Sequence, residues 1–145
     1  GEWEYKIFKK WNKIIQKILQ DNEELNIIFL GSGNAKKAGV QLLREFSNYH
    51  LLDFTSRLSF NQTAQVIKQS KIFLCCDGGL MHAAAAVEAK FIPLLARLPA
   101  EMLLTRDISS YKLFDKHNVN NILVDDILSD YYEIINQLAD NDIGR

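Results

Sequence analysis

Within six positions the sequence sets an acid, two glycines and a histidine: Asp77-Gly78-Gly79-Leu80-Met81-His82. Glycines let an anionic group come close to backbone amides, a histidine adds a ring N–H, and an acid can orient a donor or cap a helix. Such a set suits the holding of a phosphate. A helix opening there leaves its first amides without intrahelical partners and directs its positive dipole end to the same spot. The plain alternative is a tight turn packed by small residues, with His82 filling a gap. The convergence of an acid, two glycines and a histidine at the carboxyl end of a strand favours the ligand reading.

For the turn to act, a strand must deliver it. Ile72 to Cys76 is a short apolar run without polar alternation, the pattern of a strand buried on both faces of a parallel sheet. Gly78 and Gly79 allow positive φ and close backbone approach where that strand ends, and His82 with Ala83 to Ala86 is expected to open the following helix. Phe91 to Ala96 reads as the next strand. Ligands of open α/β sheets bind at the carboxyl ends of strands, so the turn stands in the right place.

Upstream, Trp3, Ile7, Phe8, Trp11, Ile14, Ile15, Ile18 and Leu19 fall at helical spacing, and the pattern predicts a helix that begins almost with the chain. Lys9, Lys10, Lys13 and Lys17 lie off its apolar stripe, while Lys6 at its entry can swing toward a ligand. Asn26 to Leu30 follows as a first strand. Gly31-Ser32-Gly33-Asn34 is then half of a GxGxxG, with Lys36 where the third glycine belongs. Residues 35 to 49 suit a helix and Leu51 to Phe54 a second strand. Ser59 with Gln62 forms a capping box ahead of Ala64, Val66 and Ile67. Beyond Pro99 the pattern predicts a helix near Ser110 to Lys116, a strand over Asn121 to Val124 and a last helix over Leu128 to Leu138.

Strands alternating with helices imply parallel pairing through right-handed crossovers. The expected architecture is a doubly wound, Rossmann-like sheet of about five strands, which collects Gly31, Phe54 to Leu58 and Asp77 to His82 on one edge. A chain of 145 residues with 48% hydrophobic and 24% charged content is one domain of ordinary composition. The start at Gly-Glu-Trp and the immediate helix suggest a piece of a longer protein. A net charge of -1 without a basic stripe argues against nucleic acid, though not against a single nucleotide. No signal peptide or apolar run of membrane-spanning length is present, which points to the cytoplasm. Cys75 and Cys76 are neighbours in a strand, face opposite ways and lack companions at metal-ligand spacing, so they read as small core residues.

Taken together, Lys6 and Trp11 on an opening segment, the Gly31-Ser32-Gly33 loop, Leu58-Ser59-Phe60 before a helix, and Asp77-Gly78-Gly79-Leu80-Met81-His82-Ala83-Ala84-Ala85 resemble the C-terminal half of family 9 glycosyltransferases, the ADP-heptose:lipopolysaccharide heptosyltransferases. The resemblance spans most of residues 3 to 96, and its specific part is Asp-x-Gly-x-x-His-x-x-Ala. It implies the sugar-nucleotide-binding half of an inverting, metal-independent GT-B enzyme needing no cofactor. A separate N-terminal domain would bring the catalytic base and the lipopolysaccharide core acceptor, with peripheral contact at the cytoplasmic face of the inner membrane. Carried over by position, Lys6 would contact phosphates, Leu58 would lie against adenine, Ser32 and Asn34 would line the donor site, and Asp77, Gly78, Gly79 and His82 would form the diphosphate turn.

Three departures stand out. Gly78 replaces the family's usual Ser or Thr, Asn34-Ala35-Lys36-Lys37 lacks the usual acid, and Ala96-Arg97-Leu98-Pro99 lacks the usual glycine after the fourth strand. They leave a second reading, a noncatalytic α/β module that binds nucleotide weakly or a protein partner. A dinucleotide-dependent oxidoreductase is disfavoured by the missing third glycine, with Asp53 its one supporting residue.

Overall fold

The computed structural model describes residues 3–105 and 111–143. Its longest strand is also its most deeply buried. Strand β4 (Phe91–Ala96) is buried at every position and pairs in parallel with β3 (Phe73–Cys76) on one side and the two-residue β5 (Phe114–Asp115) on the other. A second parallel ladder joins β1 (Ile27–Phe29) to β2 (Leu51–Asp53). Pairing is thus parallel throughout the described residues, with five strands in separately bonded ladders of two and three, the parallel α/β arrangement of a partial Rossmann-like domain.

Alternation along β4 sorts the helices onto two faces. Ile92, Leu94 and Ala96 pack with Ile14 and Ile18 of α1 (Trp11–Asp21) and with Ile127, Leu128 and Tyr131 of α6 (Val124–Ile143). Phe91 and Leu95 pack oppositely, with Ile67 of α3 (Phe60–Gln69), Met81 and Ala84 of α4 (Gly79–Ala86), and Ala100 of the short α5 (Ala100–Leu103). Full burial of such side chains stabilises by roughly 1.5–3 kcal/mol each. A smaller cluster of Ile15, Leu19 and Phe46 joins α1 to β1, β2 and the end of α2 (Lys36–Glu45). The Tyr132 hydroxyl donates to Asp21 and ties α6 to α1.

Pro93 lies within β4, where a proline ordinarily costs a ladder bond. Here it costs none. The backbone N–H groups of Leu95 and Arg97 donate to Leu113 and Asp115, so the odd-numbered residues face β5, and β5 has not begun at the level of Pro93.

The expected capping box is present, with the Ser59 hydroxyl accepting from Gln62 N–H at 3.1 Å and the Gln62 side chain accepting from Ser59 N–H at 2.9 Å. Three expectations are corrected. The opening segment is a 3-10 turn, Glu4–Lys6, followed by extended chain, and α1 starts only at Trp11. Trp3 and Ile7 are consequently 56% and 52% exposed instead of lying on a buried stripe. The helix expected near 110–116 is replaced over 114–115 by β5, its first residue lying outside the described ones, and the strand expected over Asn121 to Val124 is a 3-10 turn, Val119–Asn121, leading into α6.

Candidate functional site

Residues 3–10 form a strap that lies against β4 and reaches the end of β3. Long-range polar bonds hold it extended. The Asn120 side chain accepts from Lys9 N–H at 2.8 Å and donates to the Ile7 carbonyl at 2.9 Å, an amide standing in for a partner strand. The Asn120 carbonyl accepts from Lys10 Nζ at 2.7 Å. Asn120 is itself held by Asn118 Oδ1, and Asp115 Oδ2 accepts from His117 N–H, Asn118 N–H and the Asn121 side chain. These donors, the Asn118 amide foremost, keep the Asp115 carboxyl below its ordinary pKa. Phe8 then enters the core and meets Trp11 edge-on, with ring centroids 4.8 Å apart.

So anchored, the strap delivers Lys6. Its Nζ stands 3.7 Å from Asp77 Oδ2 and 4.6 Å from the centre of the Trp3 ring. The pair is partly exposed and worth at most about 1 kcal/mol, so its interest lies in position, not stability. Asp77 does not cap α4. The N-cap is Gly78, without a side-chain bond, and the helix begins at Gly79, three residues earlier than His82 suggested.

Gly78 is extended, with φ 163° and ψ -175°, and Gly79 is not among the glycines of positive φ. Neither is required for backbone conformation. A Cβ built on either would meet nothing within 4 Å, so both leave open space above the end of β3. His82 is exposed beside them.

Gly31 is the glycine that its backbone demands: φ is +149°, and a Cβ would approach that of Ala35 to 3.0 Å. Its carbonyl accepts from Ser56 N–H at 2.9 Å, tying the ends of β1 and β2 together. Ser32 and Asn34 are exposed in the 3-10 turn region that follows, and Leu58 is half-buried before α3. Among the described residues no hydrogen bond or ion pair joins these three to the Asp77 to His82 turn, whereas Lys6 is joined to it directly. Asp53 is turned to its own chain, accepting from Thr55 N–H at 2.9 Å with its carboxylate against Gly39 of α2.

Sequence reasoning missed Arg97. It closes β4 with φ +68°, in the left-handed region, and its guanidinium carbon lies 3.7 Å from the centre of the Tyr5 ring. Its Nε donates to the His117 carbonyl at 3.3 Å. A left-handed backbone costs a residue with a side chain roughly 1–2 kcal/mol, about what the ring contact and hydrogen bond return. The absence of glycine from Ala96-Arg97-Leu98-Pro99 was the visible signal.

Both thiols are packed away. Burial, with Asp77 adding to it, pushes Cys76 up to about 11 against the opposing Phe8 amide bond, and burial raises Cys75 well above its usual range. No group of three His, Cys, Asp or Glu side chains suited to a metal ion occurs among the described residues.

The fold and this edge define the class, a Rossmann-like domain with its candidate site at the carboxyl ends of parallel strands. Residues 2–109 match the family model of glycosyltransferase family 9 (heptosyltransferase), and the chain belongs to that family. It superposes on the structure of E. coli ADP-heptose lps heptosyltransferase II with a TM-score of 0.76 at 17% identity, over 94% of this chain and 44% of that one. The chain therefore spans less than half of that relative. No curated protein matches the sequence. No helix among the described residues is long and apolar enough to cross a membrane.

Proposed function

We propose that this chain is the sugar-nucleotide-binding half of a glycosyltransferase that uses ADP-heptose and acts, with a second domain, on the lipopolysaccharide core. The observation that carries this reading is the placement of Lys6 at Asp77, beside two glycines with open space above them. The diphosphate lies over Gly78 and Gly79, where the first amides of α4 and its dipole meet the charge, and Lys6 and His82 add donors. Adenine rests on Leu58, while Ser32 and Asn34 line the ribose side. In transfer, the diphosphate departs with the electrons of the broken glycosyl bond, and groups already aimed at it stabilise that charge without a metal. The catalytic base and acceptor belong to the second domain, at the cytoplasmic face of the inner membrane.

The test is an amide-resolved NMR titration with ADP, using UDP, GDP and NAD as competitors. Shifts at residues 31–34, at Leu58 and at residues 78–82 are expected. Gly79→Val should abolish binding and leave the spectrum of the fold intact, because a Cβ there meets no protein atom within 4 Å. Unchanged affinity in that variant, or no shift of the wild-type chain at millimolar ADP, overturns the reading.

A further inference from the structure

The Arg97 side chain enters no ion pair among the described residues, although the structure holds it deliberately. Consecutive strap residues treat neighbouring strand ends differently. Lys6 meets a carboxylate at the end of β3, whereas Tyr5 offers the guanidinium at the end of β4 only a ring face. Cys76 pairs with Leu94, so Asp77 leaves the sheet beside Leu95, and Arg97 closes β4 two residues further on. Parallel neighbours lie about 5 Å apart, which sets Arg97 along the same edge as the glycine turn. The guanidinium carbon sits over the Tyr5 ring, and Nε is spent on His117. The remaining N–H donors are exposed and unpartnered among the described residues, a fork shaped for an oxyanion.

We infer that Arg97 is a specificity-determining residue that binds the sugar-linked phosphate of the donor's diphosphate, which is the terminal phosphate of ADP, an inference that rests on the function proposed above. Lys6 is already half neutralised by Asp77 and serves one phosphate, and the uncompensated Arg97 serves the other. A nucleoside monophosphate then gains nothing from Arg97. The strained backbone fits this role, because glycine would be the easier residue at φ +68° and only the side chain justifies arginine.

The experiment is calorimetric titration of the wild-type chain, Arg97→Gly and Arg97→Lys with ADP and with AMP, alongside thermal unfolding. Arg97→Gly should weaken ADP by about tenfold while AMP stays within about twofold, because a charge-assisted fork is lost from one phosphate only. Its unfolding temperature should hold or rise as the strain is relieved. Arg97→Lys should recover part of the ADP affinity. Equal losses for ADP and AMP, or no loss, overturn the inference while leaving the proposed function standing. A wild-type chain that binds neither nucleotide overturns that function and this inference with it.

Discussion

The ladder β3–β4–β5 and the ladder β1–β2 are built to different standards. Around the first, helices cover both faces of a fully buried strand, and a strap is locked across its end by Asn120, Asp115 and Phe8. Around the second, Ile15, Leu19 and Phe46 are the buried members of the core cluster, and Leu52 in β2 is 51% exposed. Yet both ends carry candidate ligand residues. The difference teaches that the charge-holding part of the site stands on a rigid platform, whereas the loop bearing Ser32 and Asn34 stands on a thin one. On the proposed function, the phosphate side of the site is the one expected to be preorganised and the nucleoside side the one expected to adapt.

The sharpest way to break this contrast is a paired truncation. Leu94→Ala, at a side chain with no exposure, should cost about 3 kcal/mol in urea unfolding, and Leu51→Ala, half-buried in β2, about 1 kcal/mol. Equal costs would mean that the two ladders share one core. A smaller effect is expected from Asn120→Ala, which removes two bonds to the strap and should cost about 2 kcal/mol. Hydrogen exchange at Lys9 should accelerate and ADP affinity fall while the amides of α2 are unaffected. Loss of protection throughout would show that the strap is part of the global unfolding unit.

The mildest probe is pH. The Asp115 carboxyl is lowered in the folded state from an ordinary 3.8, so its contribution is complete above that value and is lost as the pH falls through the lower folded value. Strap amides should therefore loosen below about pH 3.8 before those of β1 and β2. Asp115→Asn should abolish that difference. An unchanged acid response in the variant would assign the loosening to other carboxylates.

The same contrast governs what could be read in the sequence. Buried strands and α3 were legible because a continuous apolar run and the Ser59–Gln62 box are local signals. The strap was not, since the bonds that hold it extended reach across 111 and 113 positions to one asparagine. Ile122-Leu123-Val124 suggested a strand by composition, but Leu123 is 63% exposed, and Asp125 and Asp126 in the next turn mark a helix start. β5 is two residues set by pairing with Leu95 and Ala96, too short for any periodic pattern. Of the site, Asp77 and Lys6 were legible as residue types and their meeting is observed. Arg97 was hidden because a left-handed backbone at a non-glycine residue is a property of the fold.

Pro93 has a bearing on more than pairing. With only Leu95 and Ala96 in register with β5, loss of that short pairing would bare one side of the most apolar of the described strands. Bare strands of that kind recruit other chains. At the centre of the bared stretch Pro93 presents a ring and no amide proton, so an incoming strand finds its ladder interrupted where it would otherwise begin. Pro93 thus disfavours the addition of a strand along this side of β4.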